Sequence, residues 1–492
     1  MDWLNSYIGN VNFVSWLFQR SLGALYLVAF VSAFLQFPAL LGERGLLPVT
    51  EFLEYAEFRE TPSIFHWRYS DRLFRILTGF GIAVAALVTF GVTDYAGWWC
   101  TPLCWLAMYA LYLSIVNVGQ TFYSFGWESM ILEAGFFAAF MGPATMVAPA
   151  VPVLILRWML FRTELGAGLI KLRGDECWRD LTCLFYHHET QPLPNPLSYY
   201  FHRLPKFAHK AGVVFSHIVQ CIMPFGLFAP QPVAAIAGAF LIFHQLVLIV
   251  SGNYAWLNWL TVVLGITAFV DPQFGTAASQ FLPTPHAWPA WHAGLMGVLL
   301  ACTIFLSLKP TLNFFSERQL MNFCWNPFHL VCAYGAFGSV TKERYEVILE
   351  ATQDATITTN TVWREYEFKA KPGDPNRTPP QIAPYHLRLD WLMWFLPFSV
   401  TVHGGRLYMR GYELWFIRFV QKLLQNDAAT LKLIRTNPFP DAPPTHIRAR
   451  YYLYKFATPE ERGTTKAWWH RDYIADYLSP VSLGDLTRAL IH

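Results

Sequence analysis

Charged residues are scarce in this sequence. Asp, Glu, Lys and Arg make up 14% of its 492 residues, whereas an ordinary soluble domain carries about 25%. The shortage lies mainly between residues 20 and 309, where long apolar runs dominate, and it ends after Thr341. A soluble helical protein does not need apolar runs of about 20 residues. The composition therefore argues against a fully soluble protein and predicts an integral membrane protein.

Blocks of basic residues are also missing. The formal net charge is +3, and the aromatic residues lie in apolar runs instead of on a basic face. Proteins that bind nucleic acid usually show clustered Lys and Arg. The sequence therefore predicts no nucleic-acid partner, and membrane lipid as the partner of the apolar runs.

Catalytic and metal-binding motifs are absent as well. We find no Gly-x-Ser-x-Gly nucleophile elbow, no P-loop and no Gly-x-Gly-x-x-Gly fingerprint. His187, His188 and Glu189 are contiguous, so they cannot all face one ion without a contorted backbone. We therefore predict no metal and no cofactor, and motifs alone do not indicate an enzyme.

Cysteines are too few for a disulfide scaffold, with eight in the chain. Six lie in or beside apolar segments and are predicted to be small buried hydrophobic residues: Cys100, Cys104, Cys221, Cys302, Cys324 and Cys332. Cys177 and Cys183 instead flank a polar stretch. They can pair if this stretch faces an oxidising compartment, and spacing alone leaves both states open.

The apolar runs predict a polytopic α-helical membrane domain at 1–310 with seven to nine spans. It contains a long polar loop at 173–209. Candidate spans lie at 20–40, 73–93, 98–118, 127–148, 149–172, 210–229, 231–251, 253–271 and 288–308. Segment 127–148 contains Glu128, Glu133 and a Gly142-Pro143 break, which favours a kinked or re-entrant segment.

Residues 311–492 have the charge density of a water-facing domain. Segments 345–350 and 363–371 alternate apolar and polar residues, which predicts two strands joined as a hairpin or meander. Residues 412–435 return to helical periodicity, and 447–456 is strand-like. We predict a small, β-rich α+β domain.

Three charged residues lie seven positions apart in the apolar run 149–172. Arg157, Glu164 and Lys171 therefore share about one face of a helix. Charges inside a membrane helix are functional or paired. One interpretation is structural pairing with Glu128 or Glu133, and the other is ligand binding or proton transfer with Lys171 as the base.

Long strings along the chain resemble the lipase maturation factor family over nearly the whole length. They include LLGERGLLP at 40–48, GWE at 126–128, RW at 157–158, GLIKLRGD at 168–175, CWRDLTC at 177–183, ETQPLPNPLS at 189–198, SGNY at 251–254, TKER at 341–344, WREYEFK at 363–369, KPGD at 371–374, RLDWLMWF at 388–395 and NPFP at 437–440.

The resemblance implies a polytopic membrane protein that supports folding and assembly of dimeric secreted lipases. Its C-terminal domain would contact the client on the lumenal side of the endoplasmic reticulum, and a bacterial relative would lie in the cytoplasmic membrane. We accordingly predict client contacts at Trp363, Tyr366, Phe368, Arg388, Asp390, Trp391 and Trp394, and a polar loop core formed by Asp175, Cys177, Trp178, Arg179, Asp180, Cys183, His187, His188 and Glu189.

A shorter stretch, 167–172, is similar to the Ala-Gly-Val-Lys-Lys-Leu segment of vitamin K-dependent gamma-glutamyl carboxylases. Lys171 falls on the second lysine of that segment, which is implicated as a base, and Ile170 replaces the first. This similarity implies an alternative function, a membrane enzyme or a lipid or quinone binder that uses Lys171.

Overall fold

The computed structural model describes residues 2–275, 280–403, 406–409 and 411–491. The first part of the chain is helical. Its helices are α1 (Asp2–Ile8), α2 (Asn12–Leu41), α3 (Val49–Leu53), α4 (Asp71–Thr89), α5 (Cys100–Asn117), α6 (Gln120–Tyr123), α7 (Gly126–Ala138), α8 (Ala150–Arg173), α9 (Glu176–Arg179), α10 (Leu184–Thr190), α11 (Ser198–His202), α12 (Lys206–Cys221), α13 (Met223–Gly226), α14 (Val233–Ser251), α15 (Leu257–Ile266) and α16 (Trp291–Phe314).

Within these described ranges, five helices are long and apolar enough to cross a membrane: α2, α4, α5, α14 and α16. The predicted count of seven to nine spans is not confirmed. Helices α7, α12 and α15 have only 13, 16 and 10 residues, which is short for the roughly 20 residues that a span needs. Helix α8 is long enough, but Arg157, Arg162, Glu164 and Lys171 interrupt its apolar sequence.

The break predicted in segment 127–148 is confirmed. Helix α7 ends at Ala138, and Gly142 then adopts a left-handed backbone with φ of 75° before Pro143. A residue with a side chain is strained at this φ, and an added Cβ would also lie 2.5 Å from the Trp288 ring. The helix therefore ends before Gly142, and the turn at Gly142 prevents it from resuming within the predicted segment.

The C-terminal part contains a four-stranded antiparallel sheet in the order β2-β1-β5-β6. Its strands are β1 (Arg344–Thr352), β2 (Arg364–Glu365), β5 (His446–Phe456) and β6 (Trp469–Ser482), and β3 (Val400–His403) pairs with β4 (Arg406–Met409). The helices of this part are α17 (Arg388–Phe395), α18 (Leu414–Leu424), α19 (Ala428–Leu431), α20 (Pro459–Thr465) and α21 (Leu483–Ile491).

Most predicted elements of this tail are confirmed, with two differences. Strands β1 and β5 form where the periodicity placed them, and the predicted helical segment 412–435 contains the two helices α18 and α19. The predicted strand at 363–371 shrinks to Arg364–Glu365, since the chain then turns toward Thr436 and pairs with it through Glu367. Strand β6 was not predicted, although it is the longest of the described strands with 14 residues.

A buried ion pair joins the tail to the helical part. Arg388, at the start of α17, lies 2.6 Å from the Glu128 carboxylate at the start of α7, and both side chains are fully buried. The same guanidinium donates to the Phe122 carbonyl at 2.8 Å, and the Tyr112 hydroxyl donates to Glu128 at 2.6 Å. A desolvated charge is stable only when it is paired in this way, so the two parts depend on each other here.

Two disulfides connect residues close in sequence. Cys177 pairs with Cys183, which settles the state that spacing left open. Cys324 pairs with Cys332, so the prediction that these two are simply buried hydrophobic residues is wrong. The antiparallel bridge between Phe323 and Ala333 brings the adjacent residues Cys324 and Cys332 together. The spacing of the cysteines in the sequence does not predict that the chain folds back here.

We expect Arg388→Ala to lower the free energy of unfolding by ~3–5 kcal/mol, because it leaves Glu128 buried without its cation. The matched control is Arg418→Ala, since Arg418 also joins the tail to the first part, through Glu51 at 2.9 Å. The Glu51 side chain is 55% exposed, so the control should lose only ~0–1 kcal/mol. Thermal unfolding of the detergent-solubilised variants measures both effects. Equal losses would show that the buried pair is not the stronger link.

Alkylation of denatured, unreduced protein should label four of the eight cysteines, namely Cys100, Cys104, Cys221 and Cys302. Reduction before alkylation should label all eight, which provides the control within the same preparation. Peptide mass spectrometry identifies the labelled positions. Labelling of Cys177 or Cys324 before reduction, in protein from an oxidising compartment, would contradict the pairing.

Candidate functional site

The predicted stripe on α8 is buried, but its members do not pair with Glu128 or Glu133. Arg157 donates through Nε to the Thr267 carbonyl at 2.6 Å and through Nη1 to the Leu227 carbonyl at 3.4 Å. Both carbonyls lie at helix C-termini, where the helix dipole is negative. The Arg157 cation is therefore balanced by backbone.

Glu164 and Lys171 are linked through an amide. Gln220 donates from Nε2 to Glu164 at 3.0 Å and accepts from Lys171 Nζ through Oε1 at 2.7 Å. Gln245 also donates to Glu164, at 2.7 Å. Lys171 additionally lies 4.7 Å from the Trp178 ring centroid, a favourable cation–π distance. Within the described part of the chain, Lys171 has no salt bridge to a carboxylate.

Glu133 pairs instead with Arg162, a charged residue that the predicted stripe left out. Glu133 also accepts from the Tyr334 hydroxyl at 2.7 Å and from the Cys332 amide at 3.1 Å. The segment that carries the second disulfide is thereby fixed against α7 and α8. Glu128 and Glu133 pair with Arg388 and Arg162 and not with the stripe residues, so the predicted pairing of the stripe with these glutamates is wrong.

The polar loop packs as a small core around the first disulfide. The Asp175 side chain accepts from the Cys177 amide at 3.2 Å and begins α9, and the Trp178 indole donates to the Phe337 carbonyl at 2.8 Å. Arg179 and Asp180 are exposed. Cys183 is buried with Cys177 and Trp178. These contacts join the loop to the segment that leads into the tail.

The histidines and the glutamate of the loop point into protein. The His187 ring lies 3.0 Å from the Tyr254 hydroxyl, and burial together with the Lys171 ammonium lowers the pKa of His187 to about 4. Burial also lowers the pKa of His188. Glu189 accepts from the Phe456 amide of β5 at 2.5 Å. Both rings are therefore neutral at pH 7, and Glu189 ties the loop to the sheet.

Among the described residues, one group of three metal-ligand side chains converges: Cys324, His329 and Cys332. The two sulfurs are joined in the disulfide. The His329 ring nitrogens contact Ser129 Oγ at 2.8 Å and Asn117 Oδ1 at 3.0 Å. All three ligands are therefore engaged, and this group does not fit a metal ion as it stands.

Most of the predicted client contacts lie in the interior. Tyr366, Phe368, Arg388, Asp390 and Trp391 are buried, so in this structure they stabilise the tail and do not form its surface. Asp390 accepts from the amides of Ala370 and Lys371 at 2.6 and 3.0 Å, although burial still raises the pKa of Asp390. Trp363 and Trp394 are half-buried. Surface contact therefore remains a hypothesis for these two.

Two sets of buried polar contacts were missed from the sequence. Arg344, Glu346 and Lys371 form a buried charge triad, with N–O distances of 2.5 and 2.6 Å to Glu346. Arg344 also donates to the carbonyls of Gln191 and Pro192. Asn253 accepts from the amides of Ile382 and Ala383, each at 2.9 Å. Arg344 and Asn253 lie in the strings TKER and SGNY, which are shared with the family. These strings were the feature of the sequence that could have identified the two residues.

A cavity of about 780 Å³ lies where the helical part and the tail meet. Its wall includes Trp127 at the start of α7, Phe337 of the segment before β1, and Trp391 and Trp394 of α17. Nine of the lining side chains are aromatic. The Trp127 and Trp391 rings are 5.0 Å apart and edge-on, a favourable geometry for aromatic pairs. The cavity is of the size and composition typical of ligand sites.

The candidate site is therefore this cavity with the charges and loops that frame it. Ile170 and Gly174 of the α8 end line the cavity, but Lys171, between them in sequence, does not. It points instead to Gln220. The geometry thus favours binding at an aromatic surface over acid–base chemistry at Lys171.

The chain is similar to known proteins over nearly its whole length. The family model "Lipase maturation factor transmembrane domain" matches residues 13–276, and "Lipase maturation factor C-terminal domain" matches 330–479. Lipase maturation factor 1 from Mus musculus is 38% identical and that from Homo sapiens 39%, each over 95% of this chain and 87% of the relative. Lipase maturation factor 2 from Rattus norvegicus is 28% identical over 96% of this chain and 83% of its own.

No solved structure matches the chain. The two family models together cover most of its length, on both sides of the cavity. The chain belongs to the lipase maturation factor family.

Proposed function

We propose that this chain is a membrane-bound maturation factor that supports the folding and assembly of secreted lipases. The observation that carries the proposal is the similarity to lipase maturation factors across both the helical part and the tail. Helices long and apolar enough for a bilayer support membrane residence. A chaperone role needs a surface for the client, and the aromatic cavity between the two parts offers one.

We place the tail in an oxidising compartment, which is the lumen of the endoplasmic reticulum in a eukaryotic cell. Disulfides persist in such compartments and are rare in the cytosol. One disulfide lies in the loop after α8, and the other lies in the segment that leads to β1. Secreted lipases fold in the same compartment, so client and tail would meet there.

The proposal is tested by co-expressing a dimeric secreted lipase with this chain in cells that lack their own maturation factors. We expect the chain to raise the specific activity of the secreted lipase, because it assists assembly and not synthesis. A secreted protein that folds without assistance serves as the control. An unchanged lipase activity, with the chain present in the membrane at normal abundance, would contradict the proposal.

Lys171→Met separates this function from the alternative membrane enzyme. Lys171 donates to Gln220 and Ser216 and does not line the cavity. We therefore expect the variant to lose only ~1–3 kcal/mol of stability, the usual cost of an unpaired buried polar group. Lipase maturation per folded molecule should stay at the wild-type level in the co-expression assay.

Gln245→Leu is the matched control for Lys171→Met, because it removes a neighbouring hydrogen bond to Glu164 without touching the lysine. Both variants are compared at equal membrane abundance. An abundant, folded but inactive Lys171→Met protein, beside an active Gln245→Leu protein, would favour the enzyme.

A further inference from the structure

The wall of the cavity between the helical part and the tail carries hydrogen-bond donors without acceptors. The Trp127 side chain is 7% exposed and lines the cavity, and its indole N–H has no acceptor among the described residues. Buried indole N–H groups usually have a partner, and an unmade hydrogen bond in the interior is costly. The nitrogen atom itself has almost no exposed surface, so a ligand oxygen reaches it only after the ring turns toward the cavity.

The start of α7 adds main-chain donors at the same place. Gly126 and Trp127 are its first two residues, and the preceding Phe125 provides no side-chain cap. The first N–H groups of a helix have no partner within the helix. Gly126 and Trp127 both line the cavity, so hydrogen-bond acceptors are favoured at this end of it.

The opposite wall is an irregular main-chain segment. Gly335, Ala336, Phe337 and Gly338 line the cavity in sequence. Within the described ranges, nothing bonds to the N–H or the C=O of Ala336, which is half-buried. An unpaired donor and acceptor on one residue match the main chain of an extended peptide.

The charges along the wall discriminate between ligand classes. Among the described residues that line the cavity, Glu413 has the one acidic or basic side chain apart from the Tyr254 phenol. The wall therefore offers no Lys or Arg to pair with a fatty-acid carboxylate or a lipid phosphate. A neutral main chain carries carbonyl oxygens without a charge and fits this wall better.

The remaining wall is aromatic and partly open. Trp127, Trp391, Phe125, Phe395 and Phe398 form a contiguous cluster, with ring-centroid distances from 4.6 to 6.4 Å. Phe395 and Phe398 at its edge are 41% and 48% exposed. Exposed aromatic residues beside a cavity are typical of surfaces that bind apolar side chains.

We propose that this cavity binds an extended, uncharged, apolar peptide segment of an incompletely folded client. The apolar side chains of the segment pack on the aromatic cluster, and its carbonyl oxygens accept from Trp127 and the start of α7. Its main chain also pairs with Ala336. The inference rests on the proposed function and specifies which feature of a client is recognised.

The test uses the purified full-length chain in detergent and a short fluorescein-labelled peptide of alternating Leu and Ser. Fluorescence anisotropy measures its dissociation constant. We expect Phe395→Ala and Phe398→Ala each to weaken binding by about tenfold, the upper range for losing one aromatic contact. A peptide with Lys in place of Leu should bind the wild-type chain much more weakly.

The matched control is Phe207→Ala. Phe207 is 76% exposed and does not line the cavity, so its removal should leave peptide affinity unchanged. All variants are first compared by thermal unfolding to check that they fold. A further variant, Trp127→Phe, removes the indole N–H but keeps an aromatic ring. Peptide binding that is absent, or equal in wild type and the Phe395 and Phe398 variants, would overturn the proposal.

A fluorescent fatty acid tests the other ligand class. If the fatty acid displaces the peptide and its binding is lost in Phe398→Ala, the cavity is a lipid site. That result would also overturn the proposal. Lipase maturation in cells is scored separately. If the chain matures lipase but does not bind the peptide, the proposed function stands and the peptide-binding inference is wrong. If the chain binds the peptide through the cavity but does not mature lipase, the inference stands and the proposed function is wrong.

Discussion

The ion pair between Glu128 and Arg388 is the interaction on which the arrangement of the two parts depends. Moving a carboxylate and a guanidinium out of water costs several kcal/mol for each ion. Glu128 belongs to the helical part and Arg388 to the tail, and both are fully buried. Neither part can bury its own charge alone. Docking of the tail is therefore an electrostatic requirement as well as a packing preference.

The same requirement explains the charges inside α8. Each buried charge there has a partner from another segment: helix-end carbonyls for Arg157, Glu133 for Arg162, and the Gln220 amide for Glu164 and Lys171. These partners position α7, α12 and the C-terminal ends of α13 and α15 around α8. A polar stripe that resembles a catalytic feature in the sequence thus serves to orient neighbouring helices. Burial also lowers the pKa of His386, next to Arg388, to about 4 and keeps that ring neutral at pH 7.

Local pattern predicted local structure well. Helix α18, strands β1 and β5 and the end of α7 follow from periodicity and from the Gly142-Pro143 break. Pairings between distant residues could not be predicted, because Glu128 and Arg388 are 260 positions apart and periodicity carries no information on such contacts. The span count was not confirmed, because apolar composition does not show where a helix ends and α7, α12 and α15 are short. The strings shared with the family contained Arg344, Asn253 and Trp391, but they did not reveal that these residues are buried.

The buried pair and the aromatic cavity are parts of one arrangement. Trp127 directly precedes Glu128 on α7, and Trp391 follows Arg388 by three residues, about one turn of α17. Contact between the charges at 2.6 Å therefore brings the two indole rings to 5.0 Å, and these rings form adjacent parts of the cavity wall. Separation of the tail would both expose the charges and open the wall. The cost of burying charge thus fixes the shape of the aromatic surface, so a client-binding site at this position would exist only in the docked protein.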